Sequence, residues 1–251
     1  MELLLGCVAG FCIGATGVGG GLLAAPALIL LFGVPAEISI GTSMVFLAVA
    51  RLHAGLLYFL RGKVVGRALA SMLLGGVPGA LIGPWLLRQV AIHARPGALL
   101  LPIGLVVVCS ACLSLVSIFL RPARIRTTRP ALLPWAGLMI GVTLGFSSAG
   151  AGSLGAMALL HLTDLEPASV VGTDIVAGLA LSITAGLAYI AAGAINNSLL
   201  WKLALGGLPG VFAGVLLGTR IPAGGLRTAI SVWALVLGTI LAGQGLRSCL
   251  S

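Results

Sequence analysis

The chain has 251 residues, of which 59% are hydrophobic and 8% charged, with a formal net charge of +9. A water-soluble domain carries about 25% charged residues, so this composition excludes a protein wetted on all sides and makes lipid its natural solvent. The basic balance suits short cytoplasmic loops rather than nucleic-acid binding, and at about 20 residues per crossing the length allows roughly eight to ten helices and little else.

The N-terminus carries Glu2 where a cleavable signal would be basic, and glycines interrupt its apolar run, so we expect it to be retained. The first stretch, 3–32, is too long for one crossing and too short for two. Gly17, Gly19, Gly20 and Gly21 interrupt it. Glycine costs about 1 kcal/mol in a helix interior, so a cluster of four predicts two short helices with an irregular turn between them. Such backbone is tolerated at membrane depth only where protein buries it or water reaches it. Helices are then predicted over 42–60, 68–87 and 98–120, followed by the Arg-rich segment 121–130 with Arg121, Arg124, Arg126 and Arg129. A second Gly-rich stretch, 132–162, is broken by Ser147, Ser148, Gly150 and Gly152, and helices are predicted over 173–192, 199–217 and 226–243.

The two series are one unit repeated. A shift of 131 positions brings Gly10 and Gly14 onto Gly141 and Gly145, and Gly41-Thr42 onto Gly172-Thr173. It also brings Tyr58 onto Tyr189, and Gly75-Gly76-Val77-Pro78-Gly79 onto Gly206-Gly207-Leu208-Pro209-Gly210. Ungapped agreement of glycine, proline, threonine and tyrosine is not a product of shared apolar composition. We therefore expect an all-α polytopic membrane protein with a first repeat over 1–120, a basic cytoplasmic linker over 121–130 and a second repeat over 131–251. Gly75, Gly79 and Gly83, like Gly206, Gly210 and Gly214, fall four apart and line one helix face for close packing.

Loop charges bear on orientation. With 121–130 in the cytoplasm, Arg61, Lys63 and Arg67 lie inside and Arg88 and Arg95 outside. Arg220 and Arg227 favour a second Gly-rich stretch that enters and returns, whereas Lys202 and Arg247 favour a single crossing. The glycine break decides for a returning hairpin, which inverts the halves and puts both termini outside. Cys7, Cys12, Cys109, Cys112 and Cys249 form no disulfide framework; Cys109 and Cys112 share a helix face but read as small-residue packing rather than as a zinc or redox site.

Inverted repeats with a broken helix in each are the architecture of secondary transporters, whose substrate sits where the breaks meet. Free N–H groups at short-helix N-termini suit an anion. Thr16, Ser147, Ser148 and Ser153 add hydroxyls, and Thr42, Ser43 and Thr173, at the start of the next helix, could close the pocket. Arg51 lies in mid-helix, where a charge is rarely kept without use; its guanidinium can grip an oxyanion with two parallel bonds, or it snorkels or pairs with Asp174. The second copy has Ser182 and Thr184 where Arg51 and His53 stand in the first. Asp174, in the place of Ser43, either carries a proton, pairs with Arg51 or caps its helix. His53 and His161 are further candidates for proton coupling. Asn196 and Asn197 read as an external turn. No metal-ligand spacing, P-loop or dinucleotide fingerprint occurs, so neither metal, cofactor nor catalytic residue is expected. The reading from another class is a membrane-embedded enzyme acting on a lipid-linked anion at Arg51 and His53, with His161, Asp164 or Glu166 as acid or base; a third is a membrane-helix subunit of a larger complex.

The run Gly14-Ala15-Thr16-Gly17-Val18-Gly19-Gly20-Gly21, followed by Pro26 and by Gly41-Thr42-Ser43, resembles the N-terminal signature of the sulfite exporter TauE/SafE family, and Gly145, Gly150, Gly152 and Gly172-Thr173-Asp174 resemble its second copy. The resemblance covers nearly the whole chain. It implies a bacterial inner-membrane permease of about eight helices that exports or imports sulfite, sulfonates or related sulfur compounds. It carries Gly17, Gly19, Gly20, Gly21, Pro26, Thr42 and Ser43, but not Arg51. Ser148, Ala151 and Met157, where the first copy has Gly17, Gly20 and Pro26, put a symmetric pocket in doubt. The expected partners are a small anion and the bilayer; a homodimer is also open.

Overall fold

The computed structural model describes residues 1–16, 20–93, 97–119, 129–150, 152–218 and 223–250. Among them there is no strand, and ten α-helices follow in order. α1 (Glu2–Thr16) and α2 (Gly20–Phe32) form a first hairpin, and α3 (Ala36–Leu60), α4 (Gly66–His93) and α5 (Leu100–Phe119) complete the first repeat. After a 3-10 turn at Pro130–Leu132, α6 (Leu133–Ser147) and α7 (Ser153–Leu162) form a second hairpin. α8 (Pro167–Ala191), α9 (Asn197–Gly218) and α10 (Ala223–Leu250) follow. Among the described residues, five segments are long and apolar enough to cross a membrane: Ala36–Leu60, Gly66–His93, Pro130–Ser147, Pro167–Ala191 and Gly225–Cys249. The chain is an all-α, multi-pass membrane protein.

The second Gly-rich stretch is broken where its glycines predict, whereas Gly17, Val18 and Gly19, where the first break is predicted, lie outside the described residues. The second turn holds Ser148 at φ 63°, Gly150 at φ 103° and Gly152 at φ 102°. A left-handed C-cap normally selects glycine, and Ser148 takes it with its N–H on the Leu144 carbonyl at 2.7 Å. The 10 residues of α7 rise about 15 Å, half of a bilayer's apolar thickness of about 30 Å. The second hairpin therefore turns back inside the bundle.

Several predicted boundaries move, and α4 and α10 run on past 87 and 243 to His93 and Leu250. α3 and α8 start six residues before Thr42 and Thr173, at Ala36 and Pro167. Proline suits a helix start because its missing N–H would go unpaired there; Pro35 precedes α3, and Pro167 opens α8 after the N-cap Glu166. Thr42, Ser43 and Thr173 thus stand in the second turn rather than at the helix end, and Asp174 does not cap α8. Arg88 lies within α4, whereas Arg95, Arg220 and the arginines at 121, 124 and 126 lie outside the described residues. Cys109 and Cys112 are exposed on α5, which corrects their expected place within the packing: on this helix Ile103, Val107 and Ala111 take the inner face.

The repeats pack by exchange. On α1, a Cβ at Gly6, Gly10 or Gly14 would strike the backbone of Leu203, Gly207 or Val211 on α9; on α6, one at Gly137, Gly141 or Gly145 would strike Met72, Gly76 or Ala80 on α4. These contacts map onto each other under the shift of 131 and make both pairs parallel. The glycine face predicted on α4 and α9 is the other side of the same seams. Packing of this kind brings backbones close enough for dispersion contacts that larger residues would prevent.

The equivalent helices α3 and α8 cross antiparallel. The Asn196 N–H donates to Thr42 Oγ1 at 3.2 Å, and the Val65 N–H donates to Thr173 Oγ1 at 3.1 Å. These two bonds are images of each other under the same shift. Residues 61–65 and 163–166 share one end of the bundle, joined by Lys63–Glu166 at 3.5 Å, while 33–35 and 192–196 share the other. The second hairpin therefore enters and returns at the end that carries Lys63.

Candidate functional site

The two hairpins meet by their tips. Ser148 Oγ donates to the Gly21 carbonyl at 3.2 Å, and a Cβ at Gly21 would strike the Ser148 carbonyl. Residues 21–29 of α2 are all buried, so this helix runs through protein on every side. Ser147, also buried, donates to the Thr143 carbonyl at 2.9 Å and receives the Ala149 N–H at 3.3 Å, which ties the turn to the end of α6. Tyr189 of α8 donates to the Gly145 carbonyl at 2.7 Å, one of the last carbonyls of α6, which have no partner within their own helix.

The N-termini of α2 and α7 both start at this junction, so two helix ends bring partial positive charge to it. Two buried hydroxyls stand nearby without a hydrogen-bond partner among the described residues, Ser43 Oγ on α3 and Ser153 Oγ at the first residue of α7. Other hydroxyls in these helices, such as Thr143 and Thr184, bond back to a carbonyl of the preceding turn at 2.9 Å, as hydroxyls in apolar helices normally do.

Arg51 is 2% exposed and does not snorkel. Its Nη1 donates to the Gly178 carbonyl at 3.0 Å and to Ser182 Oγ at 2.9 Å. Ser182 is the residue 131 positions on, the repeat mate of Arg51, so the guanidinium bridges the crossing of α3 and α8. It lies one turn beyond Leu47, whose side chain touches Gly21. Asp174 is 3% exposed, and its carboxylate occupies the place that a side chain at Gly155 of α7 would take. It interacts electrostatically with Arg51 and with Arg227 of α10.

Of the residues singled out in the sequence, Gly20, Gly21, Ser147, Ser148 and Gly150 gather at the tips, with Ser43, Arg51 and Asp174 on the helices behind them. Thr42 and Thr173 are held elsewhere, each hydroxyl receiving a backbone N–H from the opposite repeat. His53 is exposed on the side of α3 away from Arg51. His161, exposed at the end of α7, donates Nδ1–H to the Met157 carbonyl at 2.9 Å. Asp164 and Glu166 are exposed at the bundle end. Asn196 accepts the Leu199 N–H at 3.1 Å and so opens α9, in which Asn197 is already helical. Sequence reasoning gave Arg227 to a loop; its interaction with Asp174 had no local signal, because the two residues stand on different helices, α10 and α8, that are far apart in the sequence.

The family model of the sulfite exporter TauE/SafE matches residues 2–241. The chain belongs to this family. Among the relatives of this TauE/SafE member, the "Probable membrane transporter protein YjnA" of Bacillus subtilis (strain 168) is 32% identical, over 87% of this chain and 89% of its own. The "Probable membrane transporter protein YdhB" of the same strain is 26% identical over 95% and 96%. A "Probable membrane transporter protein" of Xylella fastidiosa (strain Temecula1 / ATCC 700964) is 27% identical over 87% and 84%. No solved structure matches this TauE/SafE chain. Its membership and relatives make it a membrane permease.

Proposed function

We propose that the chain is a secondary transporter of small sulfur-containing oxyanions, such as sulfite or sulfonates, working by alternating access. In this reading the two repeats are inverted across a bacterial inner membrane, with the bundle end that carries Arg61, Lys63 and Arg67 facing the cytoplasm. One observation carries the reading. Two Gly-broken hairpins meet at Gly21 and Ser148 in the buried middle of the bundle, the arrangement in which transporters of this architecture hold their solute. The anion lies against the first turns of α2 and α7, with Ser43, Ser148 and Ser153 as hydroxyl donors. Arg51 supplies positive charge one turn behind the tip, where a low dielectric strengthens it. Proton coupling runs through Asp174, which is buried beside the hairpin; His53 and His161 are exposed and stand away from it.

The test is sulfite flux in proteoliposomes for the wild type and Arg51→Ala, beside empty liposomes and a non-sulfur anion. Flux selective for sulfite and lost in the variant is the expected result. Well-folded wild-type protein that moves neither sulfite nor sulfonates overturns the substrate, and normal flux through Arg51→Ala removes Arg51 from the site. Asp174→Asn should make flux indifferent to a pH gradient; a gradient response equal to that of the wild type would sink the coupling role.

A further inference from the structure

The chain has two tyrosines, Tyr58 and Tyr189, and the shift of 131 lays one on the other. Each ring stands against the equivalent glycine of the opposite repeat, Tyr58 against Gly172 and Tyr189 against Gly41. Their hydroxyls differ. Tyr189 is 1% exposed and donates to the Gly145 carbonyl at 2.7 Å, just before the tip of the second hairpin. Tyr58 is half-buried, and its hydroxyl has no hydrogen-bond partner among the described residues. A matching acceptor exists. The Gly14 carbonyl, like that of Gly145, belongs to the last turn of its helix, where carbonyls have no donor within the helix.

The same difference recurs in residues that the duplication has left identical. In the half of the bundle toward 33–35 and 192–196, Leu23 and Ala27 of α2 and Ala185 of α8 are buried. Their mates toward the Lys63 end, Leu154 and Ala158 of α7 and Ala54 of α3, are half-buried. The pattern stops at the last turn of the short helices, where Leu31 is exposed and Leu162 half-buried. Like residues at like positions differ in exposure when the neighbouring helices close round one and stand back from the other. Here α10 lies against α2, and its mate α5 against α7. Exchanging the conformations of the two copies would close the Lys63 end and open the other with the same glycine seams in place, the motion available to inverted repeats.

We propose that the two tyrosines are alternating latches. The Tyr189–Gly145 bond holds the end of 33–35 and 192–196 closed while the Lys63 end is open. In the opposite state this bond breaks, and Tyr58 turns inward to donate to the Gly14 carbonyl. The switch therefore costs no net hydrogen bond. This deepens the alternating-access reading and rests on it. Gly14 and Gly145 each stand just before a hairpin tip, so the latches also position the tips in turn.

The experiment reads the two ends with one residue type. A cysteine is introduced at Ala27 or at its mate Ala158 in the full chain, and a water-soluble maleimide is applied in detergent. Labelling of that site is read by mass spectrometry, with size-exclusion profiles to confirm folding. Ala158→Cys should label faster than Ala27→Cys. Adding Tyr189→Phe should speed labelling of Ala27→Cys by up to about fivefold, the weight of one net hydrogen bond, and slow that of Ala158→Cys. Adding Tyr58→Phe should slow Ala27→Cys by a similar factor. A tyrosine that only stabilises the fold would raise both sites together. Rates that rise together in Tyr189→Phe, rates that ignore Tyr58→Phe, or Ala158→Cys no faster than Ala27→Cys without either variant overturn the proposal. Where Ala27→Cys does not fold, Ala194→Cys, buried at the same end, takes its place. Sulfite flux with labelling indifferent to both tyrosines removes the latch and leaves transport standing. Reciprocal labelling in a protein that moves no sulfite supports the latch and counts against the substrate.

Discussion

The first and second hairpins differ in a consistent way. Their outer helices, α1 and α6, are set on the opposite repeat by the same glycine seam, at Gly6, Gly10 and Gly14 in one copy and Gly137, Gly141 and Gly145 in the other. Their tips have diverged: Ser148 replaces Gly17, Ser153 replaces Leu22, Gly155 replaces Ala24, and Asp174 replaces Ser43 behind them. Residues that set how closely the outer helices approach are held in common, as are Thr42 and Thr173 with their matching bonds, whereas the polar residues at and behind the tips are not. The glycine seams of the scaffold are thus shared by the two copies, while the residues at the tips differ.

The sharpest way to break this comparison is to fill a seam. Gly10→Leu and Gly141→Leu should each abolish folded protein, because the added side chain meets backbone carbonyls that cannot move aside; overpacking of even flexible cores costs about 1–3 kcal/mol. Size-exclusion profiles in detergent would show it, and a monodisperse profile for only one of the two would refute the equivalence of the seams. Next in size is the Arg51 bridge. Arg51→Met should unfold earlier than Ser182→Ala, since the first removes every bond of the buried guanidinium and the second only one, a charge-assisted bond of about 1.5–3 kcal/mol. Equal midpoints in thermal unfolding would mean that Ser182 carries the bridge alone. Smaller still, Thr42→Val and Thr173→Val should each cost about 1 kcal/mol and match one another, because their bonds are images under the repeat; unequal losses in denaturant titration would place a further role on one threonine. Least of all, Lys63→Ala should change stability by under about 1 kcal/mol, and less in high salt, since its ion pair with Glu166 is largely exposed.

Much of the scaffold was legible because its signals are local. A cluster of glycines weakens a helix wherever it occurs, so the break near 147–152 follows from composition alone. Four-residue glycine spacing marks a contact face whatever the partner. Helix starts were placed late because the polar Gly-Thr pairs looked like ends, whereas Pro35 and Pro167 mark the ends six or seven residues earlier. The threonines turned out to satisfy backbone donors of the other repeat, a role without a sequence signature since the partners lie 108 and 154 residues away.

By itself, the sequence determined the solvent, the duplication and the break in the second Gly-rich stretch, and it set Arg51 in mid-helix while leaving open whether Arg51 snorkels and whether Asp174 caps its helix. Only the tertiary structure decided which seam joins which helix, that Arg51 bonds its own repeat mate, and that the Asp174 carboxylate lies against Gly155 of α7. The physical reason is range. Glycine content, hydropathy and repeat spacing act within a few turns of chain, but a buried hydrogen bond is made with whatever group the packing brings within about 3 Å, and in an exchanged pair of repeats that group belongs to the other half of the molecule.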